Sequence, residues 1–197
     1  FSFKIIIFKT ILILSKINYN FLSNKKIPII EVDSLDDQKL YNFIKNIKCD
    51  FVIANTSHIF SKKLINSINK PIINKHSSLL PKCRGMMPFF WTYLKQYEFG
   101  VTFHLIDIGI DSGSIIYQKK YNLNKNTSML KFYSLVFNDY EYMLLKSIEN
   151  LKSKKIIKNF KKQNEYNYLP TKKDYLLFKS KKGLICSFKD IFLVNLN

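Results

Sequence analysis

Cysteine is sparse in this chain and arginine almost missing. The three cysteines, Cys49, Cys83 and Cys186, are an odd set, widely spaced and without metal-ligand spacing, which argues against a disulfide framework and against a metal centre. A reducing compartment, the cytoplasm, is the expected location. Long apolar runs are missing as well. The nearest, Ile5 to Leu14, is cut by Lys9 and closed by Lys16, short of the roughly eighteen residues that would suggest a membrane-crossing helix. No internal repeat is visible. The chain opens on Phe1 rather than methionine, so no signal peptide can be read and the native start is expected upstream.

Of the 32 basic residues only Arg84 is an arginine, and the formal charge is +18. Such a charge normally points to nucleic acid or an anionic surface. Here the chain is crowded with Lys, Asn, Ile, Phe and Tyr, the amino acids of AT-rich codons, and its lysines are spread. Dense runs occur only near Lys152 to Lys162 and Lys179 to Lys182. The charge is therefore read as solvated surface, the run at Lys152 to Lys162 included. Attraction for phosphate-bearing substrates follows from it; a dedicated tRNA groove does not.

A length of 197 residues suits one full-sized domain with a small appendage. Strand and helix patterns alternate, which predicts an α/β layer architecture with a largely parallel sheet. Strands are expected at Phe3 to Phe8, Ile27 to Val32, Cys49 to Ala54 and Pro71 to Lys75. Helices are expected at Ile11 to Asn24, after Ser34 as N-cap with Asp36 and Asp37 in the first turn and a stripe of Leu40, Phe43 and Ile44, and at Ser61 to Ile68. Further on come an aromatic helix over Pro88 to Tyr97, a strand over Gly100 to Asp107 and an antiparallel partner at Ile115 to Tyr121. One long helix is expected over Thr127 to Leu151, capped by Asn126 or Thr127. Beyond it, Tyr166 to Thr171 and Gly183 to Val194 read as short strand or turn material around YLPTKKD.

Two segments carry the chemistry. NKHSSLLPKCRG runs from Asn74 to Gly85, and DIGIDSG begins 22 residues past its last glycine, at Asp107. Asn74 and His76 are two apart, so on a strand both side chains leave one face. Asp111 lies 35 residues past the histidine, in an Asp-Ser-Gly turn after a strand, so only the tertiary fold can close the triangle. Each piece alone is ordinary, a loop pair and a common turn; joined at this spacing they are specific.

The pair resembles the signature of the folate-dependent formyltransferases: Asn-x-His, Ser-Leu-Leu-Pro, Arg-Gly, then Asp-x-Gly at about this distance. The resemblance covers roughly Ile27 to Leu151. It implies a three-layer Rossmann-like fold, with the opening strand of the family missing here, a catalytic domain over 1–151 and a short carboxy-terminal extension over 152–197. It implies transfer of a formyl group from 10-formyltetrahydrofolate to a primary amine. Asn74 would donate its amide to the developing oxyanion. His76 would take the amine proton or, as imidazolium, share in oxyanion stabilisation, and Asp111 would orient it, directly or through water.

The resemblance also assigns neighbours. The co-substrate would lie against His58, Ile59 and Phe60, in the segment that starts at Ser57, and against Ile106, Asp107, Ile108 and Gly109. Ser77, Ser78, Arg84 and Gly85 would face the acceptor, Arg84 meeting a phosphate or carboxylate. A cis bond at Pro81 is open. His58 reads equally as a folate contact or a solvated loop residue. His104 reads as a polar residue of a strand face, and Phe89, Phe90, Trp91 and Tyr93 as core. The expected acceptor is an amino sugar on a nucleotide, on the strength of the short tail. Methionyl-tRNA is the rival, and an inactive truncated remnant is the reading from another class.

Overall fold

Short polar side chains cap four of the six described helices. The computed structural model describes residues 30–56, 58–124, 126–157 and 166–190; the expected strand at Phe3 to Phe8, the helix at Ile11 to Asn24 and the start of the strand at Ile27 lie outside them. Two units are separated, Phe1–Ile47 and Lys48–Asn197. In the first, helix α1 spans Gln38–Asn46 and its cap is Asp37, whose carboxylate accepts from Lys39 N at 2.8 Å. Ser34, the expected cap, instead accepts from Asp36 N at 3.2 Å in the preceding turn. Residues 30–32 carry no strand.

The second unit is built on a four-stranded sheet. Its strands are β1 (Val52–Ala54), β2 (Ile72–His76), β4 (Phe99–Leu105) and β5 (Ile115–Tyr121), in that order. β1 and β2 are parallel; β2 with β4, and β4 with β5, are antiparallel. The described sheet therefore has one parallel and two antiparallel pairings. A second, two-stranded sheet pairs β3 (Arg84–Gly85) in parallel with β6 (Tyr166–Asn167).

Helices α2 (Lys62–Ile68), α3 (Pro88–Leu94), α4 (Met129–Asn138), α5 (Tyr140–Lys152) and α6 (Lys172–Ser180) complete the unit. Alternation along the strands sends Ile73, Val101 and Phe103 to one face. There they join Phe89 and Phe90 of α3, Phe132 and Val136 of α4, Met143 of α5 and Phe178 of α6 in the core. Each such side chain contributes about 1.5–3 kcal/mol by leaving water. The expected helix Thr127 to Leu151 is two helices broken at Asp139, with Ser128 as the first cap. Asp139 is held from outside, because its Oδ2 accepts from Lys119 Nζ and Tyr121 Oη of β5, both at 2.7 Å.

The first tail segment expected as strand or turn gives β6, and a helix that was not expected, α6, lies between the two segments. Thr171 and Asp174 form a capping box, each accepting from the other's backbone N–H, and the signal was present in Thr-Lys-Lys-Asp. Phe178 of α6 is fully buried and stacks on Phe90 of α3 with ring centroids 4.6 Å apart. The tail thus packs onto the same core as Ile73 of β2. Among the described residues no helix is long and apolar enough to cross a membrane.

Candidate active site

The face of β2 opposite the core carries Asn74 and His76, and the register with β4 sets their neighbours. Asn74 pairs with His104, and His76 with Thr102. A register shift between Phe103 and His104 marks an irregularity in the β4–β5 pairing at this point, as is common beside functional sites. Thr102 is fully buried and ties the Ser-Leu-Leu-Pro loop to the sheet: it donates to Ser78 O at 2.7 Å and accepts from Leu80 N at 3.0 Å. The Leu80–Pro81 bond is cis.

Asp111 closes the triangle. Its Oδ2 lies 3.4 Å from His76 Nδ1 and its Oδ1 lies 3.5 Å from His104 Nε2. Gly85 N–H donates to Oδ2 at 2.8 Å. The site therefore holds one carboxylate between two imidazoles. The second ring nitrogen of each imidazole meets a backbone carbonyl, His76 Nε2 at Cys83 O (2.8 Å) and His104 Nδ1 at Leu105 O (2.9 Å). A carbonyl can only accept, so each of those nitrogens carries a proton and the nitrogen facing Asp111 is the basic one. Asn74 Nδ2 lies 3.3 Å from that nitrogen of His104, so the amide donates to it.

Burial and charge act in opposite directions here. Burial pushes the Asp111 carboxyl up, but a hydrogen bond from His104 and the charge of His76, both supplied by the imidazolium forms of the rings, together with the Gly85 N–H outweigh it and hold the group at about 2. Asp111 is thus an anion at neutral pH. For His76 burial wins and lowers its pKa below the usual value of 6.5, with Asp111 opposing. A neutral imidazole beside a fixed carboxylate is a ready proton acceptor. Cys83, Met87 and Asp111 have left-handed backbone, with φ of 52°, 52° and 49°; such conformations cost about 1–3 kcal/mol each and gather at working sites.

The cluster opens on a cavity of about 560 Å³. All seven residues expected at the co-substrate, His58, Ile59, Phe60, Ile106, Asp107, Ile108 and Gly109, line it, together with Asn74, His76, Asp111, Ser77 and Gly85; Ser57 is outside the described residues. Ile59 and Ile108 are 69% and 66% exposed, an apolar wall suited to a flat ring system. Thr56 places His58, its hydroxyl 2.9 Å from His58 Nδ1. The residues present fit a reduced folate.

Ser78 and Arg84 are placed otherwise than expected. The Ser78 hydroxyl donates to Lys82 O at 2.7 Å inside its own loop. Arg84 Nε donates to Ile110 O at 2.8 Å, bracing the loop that carries Asp111. Neither lines the cavity. The sequence reading missed His104, which is 2% exposed and belongs to the cluster. Its alternation with Thr102 marked the right face, but only the β2–β4 register brings it beside Asn74. Tyr133, Tyr166 and Leu169, also in the cavity wall, were not singled out; they come from α4 and the tail.

Comparison with known proteins places the chain in a family. The formyl transferase family model matches residues 12–146. The methionyl-tRNA formyltransferase of Clostridium tetani (strain Massachusetts / E88) is 29% identical over 147 residues, covering 73% of this chain and 47% of that protein. That of Buchnera aphidicola subsp. Acyrthosiphon pisum (strain Tuc7) is 30% identical over 155 residues, 77% of this chain and 48% of that protein. The chain spans about half the length of the curated relatives it matches. Among solved structures, the formyltransferase PseJ from Anoxybacillus kamchatkensis, in complex with UDP-4,6-dideoxy-4-formamido-L-AltNAc and tetrahydrofolate, superposes with a TM-score of 0.65 at 25% identity, covering 89% of this chain and 92% of that one. A 4-N formyltransferase from Francisella tularensis superposes with a TM-score of 0.58 at 26% identity, over 80% of this chain and 61% of that one. Since the family match runs through more than half of the chain and encloses Asn74, His76 and Asp111, this chain belongs to the formyl transferase family.

Proposed function

We propose that the chain transfers a formyl group from 10-formyltetrahydrofolate to a primary amine, and that the amine belongs to a sugar carried on a nucleotide. One observation carries the reaction: the Asn74, His76, His104 and Asp111 cluster borders a cavity whose wall contains every described residue expected at the folate. When bound, the folate supplies an electrophilic formyl carbon. Asn74 is the neutral donor at that point, with two amide hydrogens of which one is engaged on His104. Removing one such donor typically costs about 10²–10³ in turnover. Asp111 stays anionic. A proton released by the attacking nitrogen has its seat at Nδ1 of His76, where Asp111 Oδ2 stabilises the imidazolium until the proton passes to the departing nitrogen.

The likeness to PseJ supports the sugar acceptor. It covers 89% of this chain, and that structure holds a formamido sugar nucleotide together with tetrahydrofolate. A charge of +18 favours the second reading, methionyl-tRNA. Incubation with 10-formyltetrahydrofolate and a panel of amino-sugar nucleotides, glycinamide ribonucleotide and methionyl-tRNA, with release of tetrahydrofolate followed, tests both. Release that depends on an amino-sugar nucleotide is the expected outcome. Tight, salt-sensitive binding of initiator tRNA would replace the sugar reading, and no acceptor-dependent release would leave the inactive remnant.

A further inference from the structure

We propose that Asn167, in the carboxy-terminal tail, is a positioning residue for this reaction: it fixes the strand Arg84–Gly85 from which Asp111 is held. The inference rests on the formyl-transfer reading above. Asn167 is 5% exposed and uses both ends of its amide. Its Nδ2 donates to Arg84 O at 3.0 Å, and its Oδ1 accepts from Lys95 Nζ at 2.8 Å. Its own carbonyl accepts from Met86 N at 2.8 Å. The strand it grips then makes both contacts that set the catalytic loop: Arg84 Nε on Ile110 O and Gly85 N–H on Asp111 Oδ2.

The chain of contacts therefore runs from Lys95 through Asn167 and Gly85 to the reacting carboxylate, and it joins residues 83 apart in sequence. Gly85 leaves no slack in it. A Cβ there would lie 2.4 Å from Asn167 O and 2.8 Å from Tyr166 Cε2, on a backbone with φ of 93°. The tail also reaches the cavity itself through Tyr166 and Leu169. An amide is the side chain this position requires, since it offers a donor to one side and an acceptor to the other. A carboxylate would keep Lys95 and turn an oxygen towards Arg84 O.

The groups facing the Asp111 carboxylate are His76 from β2, His104 from β4 and the Gly85 N–H from β3, while Lys75 and His104 also act on His76. Releasing Gly85 lets Asp111 move off His76 and weakens the interaction that raises the histidine. Asn167→Asp and Asn167→Leu are compared with the parent chain by single-turnover rate, by KM for the folate and the amine, and by NMR titration of the His76 ring. The expected result is a loss of turnover on the order of 10², little change in KM for the folate, and a His76 midpoint displaced to lower pH in the folded Asn167→Asp protein. An unchanged rate and an unchanged His76 midpoint in that protein would overturn the proposal. If neither variant folds, Lys95→Met, which frees the acceptor end alone, must show the same His76 displacement in smaller measure; a parental midpoint there also overturns it. The titration needs no turnover, so a parent chain inactive on every amine would count against the proposed reaction and leave the brace to be judged by NMR.

Discussion

His104 Nε2 lies 3.5 Å from Asp111 Oδ1, on the opposite side of the carboxylate from His76. One anion therefore serves two imidazoles, and each imidazole is fixed in tautomer by a backbone carbonyl. Such an arrangement can take up one proton without acquiring net positive charge.

His104 should matter nearly as much as the residues of the motif. His104→Ala removes the imidazolium hydrogen bond that holds Asp111 down in acid and, for the neutral ring, the acceptor of the Asn74 amide. Turnover is expected to fall about 10- to 100-fold, in the range of an oriented acid–base contribution. The Asp111 carboxyl should rise from about 2 towards its ordinary value of 3.8, seen by carboxyl NMR. His104→Gln, which can still offer a donor to Asp111, should recover part of both effects.

Asn74→Ala should lose about 10²–10³ in kcat, with KM for the folate nearly unchanged, because the donor acts on charge that develops during the reaction. Steady-state kinetics of the folded variant check this. A rise in KM alone would assign Asn74 to ground-state binding.

Stability should fall with acid in two stages of the same sign. His76 is depressed below 6.5 by burial, so its contribution is complete above that pH and declines as pH falls through the depressed value. Asp111 is depressed from 3.8 to about 2, so its contribution is present above 3.8 and is lost as pH falls to about 2. The second stage is worth about 2 kcal/mol. Denaturant unfolding of Asp111→Asn should show a loss smaller by that amount between pH 4 and pH 2.

Thr92 offers a test away from the site. It is buried in α3, and its hydroxyl is the buried side-chain polar atom without a hydrogen-bond partner among the described residues. Thr92→Val keeps the shape and removes the unsatisfied group, so it should stabilise the protein by about 1 kcal/mol. Thermal unfolding reads the change, and a loss of stability would mean that the hydroxyl is satisfied in solution.

Much of the fold was legible because it rests on local pattern. The helix at Ser61 to Ile68, the alternation of β4, the antiparallel partner at Ile115 to Tyr121 and the aromatic helix at Pro88 all follow from spacing and side-chain type. The break at Asp139 was not legible, since it depends on Lys119 and Tyr121 reaching across from β5. Helix α6 was legible in principle through its Thr171–Asp174 box and was passed over because the surrounding pattern is weak. Arg84 was read as a ligand for an anion because a guanidinium at a motif invites that reading; the fold instead gives it a carbonyl to hold.

By itself the sequence determined which groups can stand together: an amide and an imidazole two apart on a strand share a face whatever surrounds them, and the spacing to Asp111 marked the third candidate. Tertiary structure decided what those groups can do. The β2–β4 register put His104 beside Asn74, the carbonyls of Cys83 and Leu105 set the tautomers, and the pairing of β3 with β6 brought the tail to the Asp111 loop. Each of these is a contact between segments far apart in sequence, and such contacts are fixed by packing rather than by local preference.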